Sequence, residues 1–206
     1  MTAIREHLIL FDFDGVIANI RPAIFAYLKR YNPLLTNEEL LYLFEGNIYK
    51  TSRHLNYGAD EEVWMYYREN LLHAAPFQGI VPAIEDLEAR YSLIMTSSGK
   101  SNIIREYLDQ HGIANHFIEI MGGEVHESKI EKMNMVFTKY GITAEDCLFV
   151  TDTLGDLREA AHVHVPTIAV TWGFHSAETL RRGNPIGLVE TPGLLVEAID
   201  RHFRKG

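Results

Sequence analysis

The stretch Leu8-Ile9-Leu10-Phe11-Asp12-Phe13-Asp14-Gly15 decides the fold. Four apolar residues in an unbroken series suit a strand covered on both faces, as in a parallel sheet. Alternation along the chain puts Asp12 and Asp14 on the same side, and Gly15 lets the backbone turn away sharply. Two carboxylates at the carboxyl end of a strand stand where α/β sheets bind ligands.

Working outward, similar short apolar runs recur at 93–95, 117–121, 148–150 and 167–170, with a weaker one at 186–189. Helix-period segments lie between them. Ile80, Ile84 and Leu87 mark one; Ile103, Ile104, Tyr107 and Leu108 mark a second that Gly112 stops. Met133, Val136, Phe137 and Tyr140 mark a third, stopped by Gly141. Leu194, Leu195, Ala198 and Ile199 mark the last, with Thr191 as N-cap and Pro192 at the first helical position. Repeated β-α units are the signature of a doubly wound α/β sheet. Residues 16–79 break the pattern and carry no convincing strand. Pro22 to Tyr31 reads as a helix, Thr36 with Glu39 as a capping box, and Asp60 to Leu72 as a further helix. The expected architecture is a Rossmann-like parallel sheet built from 1–15 and 80–206, with 16–79 inserted as an all-helical cap.

The 206 residues suffice for one large domain with an insertion, and the 47% hydrophobic, 23% charged balance excludes disorder. A net charge of −9 argues against a nucleic-acid partner. No apolar run approaches the ~20 residues of a membrane span, and the first residues do not read as a signal peptide. The single cysteine, Cys147, rules out an internal disulfide and fits the cytoplasm.

Three further pieces fall at the ends of later strands. Thr96-Ser97-Ser98-Gly99 offers a hydroxyl and backbone N–H groups that can hold phosphate oxygens. Lys129 lies just ahead of a helix, and Thr151-Asp152-Thr153-Leu154-Gly155-Asp156 ends the fourth strand. In this order the four motifs resemble those of the haloacid dehalogenase superfamily of phosphohydrolases, with a helical cap after the first motif. The run Ala169 to His175 resembles the phosphoglycolate-phosphatase-like branch.

The resemblance implies roles. Asp12 would be the nucleophile that forms an aspartyl-phosphate. Asp14 would protonate the leaving oxygen and then take a proton from the attacking water. Thr96 and the N–H of Ser97 would bind the transferring phosphoryl group, and Lys129 would neutralise Asp12 and phosphate. Asp12, Asp152 and the backbone carbonyl of Asp14 would hold Mg²⁺, with Asp156 orienting Lys129 or a metal-bound water. Electrostatics agrees with such a division. A carboxylate attacking a phosphate dianion needs the repulsion removed, and clustered acids are hard to ionise together without a cation. Oxygen-only ligands favour Mg²⁺ over zinc.

The sequence departs from the family pattern at four places. Thr151 stands for the usual Gly, Val16 for Thr, Asn19 for Asp, and Lys129-Ile130 for Lys-Pro. The last leaves Lys132 as an alternative to Lys129, which lies closer to the helix start.

Other features have plainer readings. Gly99-Lys100-Ser101 looks like the end of a P-loop, but Ile94 stands where that motif needs Gly. His162 and His164 read as helix-end and turn residues, Cys147 as a buried strand residue, and Trp64, Tyr66 and Tyr67 as cap core with one aromatic free to face substrate. Lys50, Arg53 and His54 read as a solvated cap loop able to clamp an anion. The expected activity is a Mg²⁺-dependent phosphatase acting on a small phosphorylated metabolite. The alternatives are a phosphomutase of the same superfamily and a non-catalytic phospho-ligand binding module. Sugar mutases carry a His where Ile24 stands.

Overall fold

A computed structural model of the chain describes residues 4–52 and 61–204. Six parallel strands form one sheet: β1 (Leu8–Phe11), β2 (Ser92–Thr96), β3 (Phe117–Met121), β4 (Cys147–Thr151), β5 (Thr167–Val170) and β6 (Gly187–Val189). Their order is β3-β2-β1-β4-β5-β6, so connections diverge on either side of β1 and open a crevice at the carboxyl ends of β1 and β4. The expected doubly wound α/β architecture is present, and each expected strand is found, β2 and β4 longer by one residue at each end.

β1, β2, β4 and β5 are buried on both faces, which is why they read as short apolar runs, while the edge strands β3 and β6 are partly exposed. Ile9, Phe11, Leu93, Met95, Leu148 and Val150 pack on one side against Ile84, Leu87, Ile104 and Tyr107. Leu8, Leu10, Ile94 and Phe149 pack on the other against Met133 and Val136. The covering helices are α5 (Ile80–Glu88), α6 (Ser101–Gln110), α7 (Lys129–Tyr140), α8 (Leu154–His162), α9 (Ala177–Arg181) and α10 (Leu195–Phe203), numbered after four earlier ones. Thr191 stands at the N-cap position with Pro192 in the first turn, as expected, but the element it opens is not yet α-helix. Thr191 precedes a 3₁₀ turn over Pro192–Leu194, makes no side-chain cap bond, and α10 starts only at Leu195. The Pro192 ring suits the start of either kind of turn, so the sequence signal did not distinguish them.

Between β1 and α5 lie α1 (Arg21–Tyr31), α2 (Asn37–Tyr42), α3 (Ile48–Thr51) and α4 (Glu61–His73). Pro22 sits in the first turn of α1. Thr36 and Glu39 form the reciprocal capping box at α2, Thr36 N–H donating to Glu39 Oε2 at 2.8 Å and Glu39 N–H to Thr36 Oγ1 at 3.2 Å. Asp60, the expected start of α4, lies outside the described residues, as do Arg53 and His54. Among the described residues of 16–79 the only β pairing is by isolated bridges at Ala18. Tyr27, Leu28, Leu40 and Leu43 give these helices a small core of their own, with Val63 and Tyr66 against it. Val16, Ile17, Ala18 and Ile20 instead pack into the same cluster as Ile80 and Leu93. No helix among the described residues is long and apolar enough to cross a membrane.

The far end of the molecule is held by Asp200 of α10. Its carboxylate accepts from Arg90 and, at 2.8 and 3.0 Å, from Tyr91 and Arg204. Burial alone would raise its pKa; the bonds from Arg90 and Tyr91 outweigh it and hold the group below its ordinary value. A carboxylate so depressed adds stability above its unfolded pKa and loses it as pH falls through the folded one. Asp200→Asn should therefore cost about 1–3 kcal/mol at pH 7 in urea unfolding, and the difference should shrink towards zero below pH ~3.9.

Candidate active site

The carboxyl ends of β1, β2 and β4 meet the first turns of α7 and α8 in one crevice. The β1 ladder runs on into Asp12, whose N–H donates to Val150 O at 2.9 Å, so the Asp12 side chain is fixed by the sheet itself. Lys129, first residue of α7, reaches it: Nζ stands 2.7 Å from Asp12 Oδ1 and 2.5 Å from Asp156 Oδ2. All three groups are buried. Burial disfavours the Lys129 ammonium, but Asp12 and Asp156 outweigh it and hold its pKa above the ordinary value. Lys132 Nζ, also buried, donates to Ser97 O at 2.5 Å; burial and neighbouring Lys129 push it down to about 8. Among the described contacts only Lys129 pairs with the acids.

The acids differ in state. Burial drives Asp12 well above the usual carboxylate range against the pull of Lys129. Burial also raises Asp152, to about 7, with Asp156 adding to the effect and the Phe174 N–H opposing it. Asp156 goes the other way: Lys129 and the Thr151 hydroxyl, which donates at 2.6 Å, outweigh burial and lower it. Thr151, at the place of the usual Gly, is thus a brace for Asp156. Asp14 is raised by burial to about 6, the hydrogen bond from Tyr67 pulling against it.

Asp152 is held from the run after β5. The Phe174 N–H donates to its Oδ2 at 2.6 Å, while its Oδ1 is buried without a partner. Gly15 and Gly173 make room: a Cβ on either would come within 2.1 Å of Asp152 Oδ2. Gly15 also adopts φ +82°, a conformation that favours glycine. Thr96 Oγ1 is likewise buried without a partner. The N–H expected to follow it into the site is not free. Ser97 N–H donates to Met121 O at 3.0 Å, continuing the β2–β3 ladder, and Ser97 Oγ accepts from Gly99 N–H within the turn.

A metal fits this arrangement as two carboxylates, Asp12 and Asp152, with the carbonyl of Asp14. The orphaned Asp152 Oδ1 and the all-oxygen donor set suit a hard cation. Among the described residues no three His, Cys, Asp or Glu side chains group closely enough to hold a metal by themselves.

Helices α1–α4 close over the crevice, and several of their residues were not legible as site residues. Tyr67 of α4, read with Trp64 and Tyr66 as cap core with one aromatic free to face substrate, donates its phenol to Asp14 Oδ1 at 2.7 Å. Tyr49 donates to Ser98 O at 2.5 Å, and Asn47 reaches Glu127 O and the Glu159 carboxylate. His175 joins the two layers: its Nδ1 accepts from Leu154 N–H at 2.9 Å, which leaves Nε2–H to donate to Leu41 O at 3.0 Å. Burial lowers its pKa, consistent with a neutral ring. No local signal marks these residues, since each acts across the chain. Lys50, read as part of a cap loop, is exposed but lies in α3, where the short helix replaces the expected loop. Three plainer readings agree with the structure. His162 ends α8, His164 sits in the following turn, and Cys147 is buried at the start of β4, its thiol pushed up to about 12 by burial. Lys100 lies over the Trp64 ring rather than in a phosphate loop.

This sheet and this ring of acids are those of a known class of hydrolase. The family model for haloacid dehalogenase-like hydrolases matches residues 9–170, and the chain belongs to that family. It is 25% identical over 210 residues to a phosphoglycolate phosphatase from Synechococcus elongatus, covering 96% of this chain and 99% of that protein. A phosphoglycolate phosphatase from Vibrio parahaemolyticus is 25% identical over 120 residues, and there the match spans about half of each chain, 56% of this one and 53% of that one. Among solved structures, a haloacid dehalogenase-like family hydrolase from Streptococcus pneumoniae superposes with a TM-score of 0.75 at 20% identity, covering 97% of this chain and 100% of that one. The family expected from the four motifs is the one found.

The seat of Asp152 can be tested directly. In Gly173→Ala the new methyl must displace the Asp152 carboxylate. Melting should fall by the few degrees that ~1–3 kcal/mol of overpacking implies. Hydrolytic turnover should fall by ~10-fold or more in protein that remains folded, as read by parallel melting and activity assays.

Proposed function

We propose that the chain is a Mg²⁺-dependent phosphatase that hydrolyses a small phosphorylated metabolite through an aspartyl-phosphate on Asp12. The observation that carries the reading is the buried Lys129 ammonium 2.7 Å from Asp12 Oδ1 at the end of β1, beside the partnerless Thr96 hydroxyl and Asp152 Oδ1. An Asp12 oxygen attacks phosphorus and the ester P–O bond breaks. Asp14 gives its proton to the leaving oxygen. Asp14 then takes a proton from water as that water attacks the phosphorus of the acyl phosphate, which frees inorganic phosphate and restores Asp12. Thr96 and Lys129 hold the phosphoryl oxygens during both transfers, and Asp156 keeps Lys129 in place. Mg²⁺ held by Asp12, Asp152 and the Asp14 carbonyl would supply the positive charge that offsets carboxylate–phosphate repulsion.

Residues 16–79 serve in this reading as a cap on the core of 1–15 and 80–206. The cap excludes bulk water from the acyl phosphate and opens for exchange of substrate and product. Ile24 lines the cavity; it cannot relay a proton, so no observation favours a phosphomutase.

Asp12→Asn should melt close to wild type and lose at least ~10³-fold in turnover of p-nitrophenyl phosphate, because an amide does not attack phosphorus. More than a few per cent of wild-type rate in contaminant-free protein would remove Asp12 from the nucleophile role. EDTA should abolish phosphate release, Mg²⁺ should restore it, and Ca²⁺ should inhibit because its larger, looser shell misplaces the reacting oxygens. Full activity in metal-free buffer would overturn the metal assignment.

A further inference from the structure

The lining of the cavity above Asp12 is of two kinds. Asp12, Asp14, Lys129 and Asp156 belong to the proposed phosphoryl site, and the rest of the wall is Ile24, Phe44, Ile48 and Phe174, with Ser98, Asn47, Thr153 and Glu159 as its polar members. Among the described residues lining the cavity, Lys129 is the only cation, and it is already bound to Asp12 and Asp156.

Asn47 is the informative residue. It occupies the N-cap position of α3, where an Asn side-chain oxygen ordinarily accepts from a backbone N–H of the first turn, yet it makes no cap bond. Its side chain is instead turned to the core. Nδ2 donates to Glu127 O at 2.9 Å and to both Glu159 oxygens at 3.3 Å. A carbonyl and a carboxylate on that side fix the amide orientation, since only an NH₂ can face two acceptors. Oδ1 is left on the other side, buried and without a donor. Glu159 is itself anchored, accepting from Ser128 Oγ at 2.9 Å and Lys129 N–H at 3.2 Å. An unpaired buried acceptor is costly, and a ligand that brings a donor recovers that cost.

We infer that Asn47 and Glu159 select the leaving group, and that the preferred substrate is a phosphomonoester of a small neutral alcohol carrying a further hydroxyl. Such a hydroxyl donates to Asn47 Oδ1 while its carbon frame lies on the apolar wall. A leaving group bearing a carboxylate brings a second acceptor to Asn47 Oδ1 and a like charge to Glu159, with no unpaired cation among the described residues of the lining to meet it. It is disfavoured, although relatives of the chain are phosphoglycolate phosphatases. This inference rests on the phosphatase reading and adds the identity of the leaving group.

The test compares glycerol 1-phosphate, n-propyl phosphate and phosphoglycolate with the full chain in Mg²⁺, alongside p-nitrophenyl phosphate. Glycerol 1-phosphate should exceed n-propyl phosphate in kcat/KM by about 3- to 10-fold, the value of one neutral hydrogen bond, and should exceed phosphoglycolate by more. Asn47→Ala should bring the glycerol-to-propyl ratio close to one. Glu159→Gln should raise phosphoglycolate relative to glycerol 1-phosphate several-fold. Ratios taken within one variant do not depend on the fraction of protein that is folded. Phosphoglycolate equal to or better than glycerol 1-phosphate, or a glycerol-to-propyl ratio unmoved by Asn47→Ala, would overturn the inference while Asp12-dependent hydrolysis of p-nitrophenyl phosphate left the phosphatase reading standing. No release from any of the four esters would overturn that reading, and this inference with it.

Discussion

A single buried ammonium organises this molecule. Lys129 stands between Asp12 and Asp156 with Asp152 close enough to raise the pKa of Asp12. Taking such charges out of water costs several kcal/mol each unless they are paired and hydrogen-bonded. The pairing requires three separate pieces of chain to meet. Asp12 directly follows β1, Asp156 lies in the first turn of α8 after β4, and Lys129 opens α7 after β3. The strand order sets β1 directly beside β4, which is what brings the first two acids together. One cation against this many acids leaves the set short of positive charge. Burial raises Asp12 and Asp152, the neighbouring acids add to it, and Asp156, which holds both Lys129 and Thr151, is lowered.

The family's usual residues are replaced at two points of this cluster, and local geometry shows why the replacements are tolerated. Thr151 for Gly adds a hydroxyl where Asp156 has an oxygen to accept it. Its Oγ1 also accepts from Thr153 N–H, so the turn into α8 gains bonds. Ile130 for Pro falls at the second residue of α7. Backbone N–H groups in the first turn of a helix have no intrahelical acceptor, so the absence of one in Pro and its presence in Ile weigh little on the helix.

What the sequence made legible follows from where information is local. A strand covered on both faces writes itself as an apolar run, and the residue after the run falls at the crevice edge. Asp12, Thr96 and Asp152 could be placed at that edge for this reason alone. Ser97 shows the limit. Its N–H looked free in the one-dimensional reading, but the β2–β3 ladder continues one residue further and Met121 O takes it. Thr191 and Pro192 were placed correctly at a helical start, but the kind of turn was not legible, because a 3₁₀ turn and an α-helix begin with the same residues. The helical layer's contributions are a different matter. Tyr67 meets Asp14, Asn47 meets Glu159 and Leu41 meets His175 across 53, 112 and 134 residues of chain. Such contacts depend on how α1–α4 seat on the sheet, which no local period encodes.

The run Trp172 to His175 joins that seating to the acids. Trp172 Nε1 donates to Val16 O at 3.1 Å, Gly173 O accepts from Arg21 at 2.6 Å, Phe174 N–H holds Asp152, and His175 spans from Leu154 to Leu41. These bonds fall into two sets. Those from Phe174 to Asp152 and from Leu154 to His175 lie within the sheet layer, and Val16 is packed with the sheet as well. Those to Arg21 and Leu41 cross to α1 and α2. Lifting the helices would break only the crossing set. Asp152 would keep its Phe174 N–H and its place, because the residues that seat it do not travel with the helices. Asp14 would lose Tyr67, its partner on α4. Asp12, Lys129 and Asp152 are therefore fixed in the sheet layer, and Asp14, the carboxyl proposed to move protons, is the one whose hydrogen bonding would change if the helices above it lifted.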